Sequence, residues 1–185
     1  RMKASDQWHK TMYDTEFAQA SINSAKFRNL AAKEAAALMK ILNLKKGDRL
    51  LDVPCGTARH SVQFSKKGLK VTAVDINPVL LKLAKKNRGS LGFALEVGDM
   101  SKLKKYRGKF DAVVNLFTSF GYFSSDLKNE RVLRELISTL KPGGKVAIHL
   151  ISPDWLMTVF KPLGWIDSGR SVEIEARHYD PATKY

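Results

Sequence analysis

The sequence predicts an α/β protein: a Rossmann-like, doubly wound, mostly parallel sheet with helices on both faces. Three observations carry that expectation. Short apolar segments without a polar face alternate with stretches of helical periodicity, as strands buried on both sides of a parallel sheet do. The first of these strands breaks into a glycine-containing loop and then a helix, over Leu50–His60 (LLDVPCGTARH). An acid stands near the end of each of the first three strands, Asp52, Asp75 and Asp99, at intervals of 23 and 24 residues.

Taken in order, residues 7–20 are mixed in character and are expected to be helical. Residues 24–42 are rich in helix formers, with Phe27, Leu30, Ala31, Leu38, Ile41 and Leu42 at helical spacing. A loop follows at Asn43–Asp48. Strands are then predicted at Arg49–Val53, Lys70–Asp75, Ala94–Val97, Phe110–Leu116 and Lys145–Ile151. Helices are predicted at Arg59–Lys67, Pro78–Asn87 and Asp126–Leu140, the last closed by Pro142-Gly143-Gly144. The character changes after Ile151. Pro153–Phe160 reads as one short helix, and Val172–Arg177 alternates with period two ahead of an Asp180-Pro181-Ala182-Thr183 turn. That strand is expected to enter a hairpin whose return strand is missing. The expected organisation is a core over residues 1–152 and a partial insertion on the substrate side over residues 153–185. No internal repeats are apparent.

Composition narrows the function classes. A chain of 185 residues with 44% apolar and 27% charged residues is an ordinary globular domain. No apolar run reaches the roughly 18 residues that span a bilayer, and Arg1–Asp6 lacks the apolar region of a signal peptide. Cys55 is the only cysteine, which excludes intramolecular disulfides and cysteine-based zinc sites and points to a cytoplasmic location; no metal site is predicted. The chain carries 32 basic and 18 acidic side chains. Residues 51–110 hold 13 basic and 4 acidic ones, most densely from Lys82 to Lys109. Such a surplus reads as a solvated lysine-rich surface or as a face for nucleic acid or an acidic substrate.

The strand–loop–helix segment is not a dinucleotide fingerprint. The three glycine positions of that motif hold Pro54, Gly56 and Arg59, and no Gly-Lys-Ser/Thr follows for a phosphate-cradling loop. Carboxylates at one rim of a sheet instead suit a ligand bearing a diol and cationic groups. Asp75 lies 19 residues beyond Gly56, about where a mononucleotide-binding unit places its ribose-binding acid.

The segments LLDVPCGTARH, VTAVDINPVLLKLA, VGDM, FDAVVNLFTSFGYF and LKPGGKVAIHL, in this order and spacing, resemble the class I S-adenosylmethionine-dependent methyltransferases over residues 24–152. Pro-Cys-Gly-Thr and the aromatic segment after the fourth strand are most similar to small-molecule N-methyltransferases acting on glycine or amino sugars. The resemblance implies S-adenosylmethionine as cofactor. It places Asp52 and Gly56 against the methionine end, with Pro54 and Thr57 of the same loop also among the cofactor-binding residues, Asp75 on the ribose hydroxyls and Ile76 beside the adenine. Asp99 and Met100 would flank the adenine. Asn115 would offer a backbone carbonyl to the cofactor's ammonium, with Phe117 beside it, and Arg28 would pair with the cofactor carboxylate. Ala58 stands where many relatives have glycine; either its methyl tightens the pocket or it is already helical, with Thr57 as N-cap, and the second is favoured.

Methyl transfer from a sulfonium is an in-line displacement, in which positioning and exclusion of water do most of the work. An amine acceptor must first lose a proton, and His149, Tyr122 and Tyr13 are the candidate bases. Phe117, Phe120, Tyr122 and Phe123 are expected to line an acceptor pocket. The expected function is methylation of a small-molecule amine. The alternatives are an RNA or protein methyltransferase using the basic face, and a non-catalytic S-adenosylmethionine-binding module. Against nucleobase N-methylation, the fourth strand ends Asn115-Leu116-Phe117-Thr118, without the Asn/Asp-Pro-Pro-aromatic motif, and any RNA binding is expected to be non-specific. No membrane association is expected. Relatives close their sheet with two further strands, so this stretch is expected to be less than the whole enzyme, or a second copy to complete the sheet edge.

Overall fold

The protein is described by a computed structural model that covers residue 22, residues 24–167 and residues 172–179. The expected helix over residues 7–20, with Tyr13, and the turn at Asp180–Thr183 lie outside the described residues. The chain forms two compact units, the first ending at Leu150 and the second beginning at Ile151.

In the first unit, α1 (Ala25–Ile41) leads into β1 (Arg49–Asp52), α2 (Arg59–Lys66), β2 (Lys70–Asp75), α3 (Pro78–Arg88) and β3 (Ala94–Val97). A short 3-10 turn (Lys104–Tyr106), β4 (Phe110–Asn115), α4 (Asp126–Ser138) and β5 (Leu140–Ile148) complete it. The five strands form one open sheet in the order β3-β2-β1-β4-β5, and every pairing is parallel. The predicted α/β, doubly wound architecture is therefore present. A parallel sheet needs a covering layer on each face, and neighbouring strand residues divide between two cores. Leu50, Ala73 and Val114 pack with Ala35 of α1, Phe64 of α2 and Ala84 of α3. Leu51, Val74 and Val113 pack with Val132 and Leu136 of α4, with Leu103 and with Tyr106 of the 3-10 turn that follows it. Leu50, Leu51, Phe64, Val113 and Leu136 are fully enclosed, each stabilising the fold by about 1.5–3 kcal/mol relative to exposure.

Local chemistry sets the helix starts. Ser24 accepts from the Phe27 N–H at the head of α1. Asn77 Oδ1 accepts from Val79 and Leu80 at 2.8 and 3.2 Å, with Pro78 in the first turn of α3. The start of α2 corrects the sequence expectation. Ala58, not Thr57, is the N-cap, in the left-handed region at φ 58°, and no side chain caps this helix. Its methyl is wholly buried in the α1–α2–α3 core, and that burial offsets a conformation an L-residue otherwise avoids.

Two further expectations are corrected. Pro142-Gly143-Gly144 does not close α4. The helix ends at Ser138, where the Thr139 hydroxyl donates to the Leu136 carbonyl at 2.7 Å. Pro142 instead lies within β5, which begins at Leu140 rather than Lys145 and ends at Ile148 rather than Ile151. The ladder slips there, from Phe110↔Leu140 to Ala112↔Lys145, which leaves Pro142 outside the paired positions, where its missing N–H costs no ladder bond to β4.

In the second unit, α5 (Pro153–Val159) is followed by β6 (Leu163–Asp167) and β7 (Val172–Ala176). These pair antiparallel from Leu163↔Ala176 to Asp167↔Val172. Residues 172–176 are thus the return strand of a hairpin, not its first strand; the partner precedes them in a segment whose Leu-Gly-Trp-Ile-Asp pattern has no strict alternation.

Candidate active site

Because all five strands of the first unit run the same way, the segments leaving β1, β2, β3 and β4 meet at one rim. A cavity of ≈ 770 Å³, counting its open mouth, lies there. Pro54 and Gly56 follow β1, Asp75 and Ile76 end β2, Asp99 and Met100 follow β3, and Phe117 and Tyr122 follow β4; all eight border the cavity.

Asp75 is the organising acid. One carboxylate oxygen accepts the Gly56 N–H at 2.7 Å and the other the Asn77 N–H at 2.8 Å, which ties the β1 loop to the head of α3. Burial pushes its pKa up, opposed by those N–H groups. Gly56 holds φ at +54° with open space where a Cβ would stand, so the loop leaves its backbone bare to the cavity. Gly98, on the cavity wall, is set by packing: a Cβ there would come within 2.7 Å of Val74 Cγ1. Asp99 Oδ1 accepts from the Ser101 N–H and hydroxyl at 2.8 and 2.7 Å.

Three of the singled-out residues lie behind the wall. Asp52 is 1% exposed and accepts from the Ser61 hydroxyl of α2 at 2.5 Å. Burial raises its pKa to about 7, against the lowering by Ser61 and by the Arg59 charge. Asn115 Nδ2 donates to the Val53 carbonyl at 2.9 Å, while its backbone carbonyl accepts the His149 N–H at 2.9 Å. Thr57 Oγ1 and Asn115 Oδ1 are buried without a hydrogen-bond partner among the described residues, each one residue from a cavity residue. Arg28 borders a separate polar cleft with Gln63, Lys66 and Asn87. His149 and Phe120 do not border the main cavity, and Phe120 packs against the α4-side core. Tyr13 lies outside the described residues.

The structure adds residues that the pattern did not single out: Cys55, Arg59, His60, Leu80 and Ser119 all border the cavity. Arg59 lies between two rings, 5.3 Å from the Phe27 centroid and 4.1 Å from that of Phe117, joining α1 to the segment after β4. Burial, helped by Asp52 and Asp75, holds the Cys55 thiol well above its usual pKa, so it is no ready nucleophile. Burial likewise raises the Tyr122 phenol. The position of Arg59 and His60 directly after the glycine loop was the available sequence signal for both.

Residues 50–144 match the methyltransferase domain family. The chain is 31% identical over 119 residues to dTDP-3-amino-3,4,6-trideoxy-alpha-D-glucopyranose N,N-dimethyltransferase of Streptomyces venezuelae, covering 64% of this chain and 47% of that protein. Among solved structures it is similar to the PH0226 protein of Pyrococcus horikoshii OT3, with a TM-score of 0.70 and 26% identity over 87% of this chain and 76% of that one. It is also similar to S-adenosylmethionine-bound CalS10, an amino pentose methyltransferase of Micromonospora echinaspora. There the TM-score is 0.63 and the identity 25%, over 82% of this chain and 61% of that one. The chain spans about half the length of the curated relatives it matches. No helix among the described residues is long and apolar enough to cross a membrane. A methyltransferase domain match over half the chain, on a five-stranded parallel sheet with its acids at the shared rim, shows that the chain belongs to the class I S-adenosylmethionine-dependent methyltransferases.

Proposed function

We propose that this chain transfers a methyl group from S-adenosylmethionine to a small-molecule amine. The observation that carries the reading is a single cavity walled by two carboxylates, an apolar flank and an aromatic segment. Asp75 is fixed by two backbone N–H groups and keeps lone pairs for a ribose diol. Asp99 spends one oxygen on Ser101, and the other accepts from the adenine amino group. Ile76, Leu80 and Met100 supply apolar surface for the purine, and the bare backbone at Gly56 admits the methionine end. Bound S-adenosylmethionine supplies an electrophilic methyl group on a sulfonium. The chain's part is to hold the acceptor in line with it and to exclude water, for which Phe117, Tyr122 and Phe123 are placed on the cavity wall.

The amine preference rests on the names of the similar proteins, an N,N-dimethyltransferase and an amino pentose methyltransferase. Release of S-adenosylhomocysteine, measured with amine, hydroxyl and RNA acceptors, tests it. Turnover with amines above the rate without acceptor is expected. Turnover with RNA alone overturns the reading.

A further inference from the structure

We propose that His60, oriented by Glu34, accepts the proton that the acceptor amine must lose before methylation. The inference deepens the amine reading above and rests on it. His60 is the second residue of α2, its side chain is 7% exposed and it borders the cavity. Its Nε2 lies 2.6 Å from Oε2 of Glu34, which α1 presents from the other side. A carboxylate only accepts, so Nε2 carries the proton in the neutral ring, and Nδ1 is left with the lone pair. The ring makes no other hydrogen bond among the described residues.

The surrounding charges keep this base ready. Burial, the Arg59 guanidinium beside it and His149 from the end of β5 lower its pKa from 6.5, while Glu34 raises it. The ring is therefore neutral at pH 7. The other ionisable groups on the wall are worse placed for the task. The Tyr122 phenol and Cys55 thiol are held protonated by burial, and Asp75 and Asp99 are occupied with the nucleoside side of the cavity.

The proton balance is simple. An N–H bond of the acceptor ammonium breaks and an Nδ1–H bond forms, leaving a neutral amine and an imidazolium whose charge Glu34 compensates. The amine lone pair then forms the N–C bond as the S–C bond breaks, and that electron pair stays on sulfur. The Nδ1 proton passes to solvent through the open cavity mouth once the product leaves, which restores the neutral ring with Nε2–H on Glu34, whose side chain is 27% exposed. Glu34 touches no reactant; it is a positioning residue.

The test measures methylation of glycine and of glucosamine by the wild-type chain, H60Q and E34Q between pH 6 and pH 10, with S-adenosylhomocysteine affinity read by calorimetry. For H60Q, kcat/KM at pH 7 is expected to fall by about 10²–10⁴. The deficit should shrink at pH 10, where solvent has already deprotonated the amine, and cofactor-product affinity should stay within about threefold of wild type. E34Q should move the acid limb of the profile to lower pH, since the carboxylate raises the ring's proton affinity. A loss in H60Q that is equal at pH 7 and pH 10, or no loss at all, overturns the proposal. Nitrogen-15 shifts of the His60 ring decide the point without turnover. Nδ1 is expected bare and Nε2 protonated at pH 7, and the opposite tautomer overturns the relay. A wild-type chain that methylates hydroxyl or RNA acceptors but neither amine tells against the amine reading instead.

Discussion

Replacing Asp52 by Asn should reverse a pH-dependent weakness in the fold. Asp52 is enclosed at the end of β1, with the Ser61 hydroxyl on one oxygen, and its pKa is pushed up from 3.8 to about 7 by burial. In the unfolded chain the same carboxyl titrates near 3.8. Between those values the native state holds a proton that the unfolded state has released, so stability falls as pH rises. The group's contribution is fully present below pH 3.8, declines through pH 7 and is constant above it. The interval is about three pH units at about 1.4 kcal/mol each, so ionising Asp52 in place costs about 4 kcal/mol. Asn has the same shape, accepts from Ser61 through its amide oxygen and cannot ionise. The stability of D52N relative to wild type should therefore grow by about 4 kcal/mol between pH 4 and pH 8. Urea unfolding followed by far-ultraviolet circular dichroism, at constant ionic strength, measures it. Subtracting the two chains cancels the opposite shifts at His60, Glu96 and Asp111. A difference that stays level within about 1 kcal/mol across that range refutes the reasoning.

Asp75→Ala should weaken S-adenosylhomocysteine binding by about 1–3 kcal/mol, because buried ribose hydroxyls lose their acceptor; calorimetry giving equal affinities removes the ribose assignment. Gly98→Ala places a methyl 2.7 Å from Val74 Cγ1 in a closed core, and a thermal melt should record a loss of about 1–3 kcal/mol. Lys82, Lys85 and Lys86 are exposed on α3, and RNA held by these three charges should bind without sequence preference. Three contacts to a single strand imply a loss of about 20-fold in affinity between 50 and 200 mM salt, checked by fluorescence anisotropy. A sequence-selective complex that persists at the higher salt promotes the RNA methyltransferase alternative.

The parts of the fold that were legible in the sequence are those where one physical requirement dominates. β2 and β3 occupy the predicted residues, because apolar runs closed by an acid or a glycine leave little choice of boundary. β5 was misread because Pro142-Gly143-Gly144 resembles a helix stop; in the structure those residues fall in the register shift between Phe110↔Leu140 and Ala112↔Lys145, where they pair with nothing on β4. Ala58 was misread for a similar reason. Local propensity disfavours a left-handed alanine, and the compensating burial is supplied by helices distant in sequence. In the site, Asp52, Asp75 and Asp99 look equivalent by spacing. They differ because Asp52 meets Ser61 behind the wall, while Asp75 and Asp99 border the cavity. His60 was not singled out because its partner Glu34 is 26 residues away on another helix, and no periodicity links the two.

The strand order also governs how the chain is made. β1 is the central strand, with β2 on one side and β4 on the other, and its partners on β4 lie 62 residues further along, as Leu50 and Ala112 do. At a synthesis rate of about 5–20 residues per second, β1 emerges roughly 3–12 seconds before β4 exists to cover its other side, and β2 becomes available to pair with it within that interval. During that interval a row of bare amides and carbonyls, flanked by Leu50 and Leu51, faces the crowded cell. This exposure belongs to the protein's birth and is closed in its finished state, and slower translation across residues 53–110 would lengthen it in direct proportion.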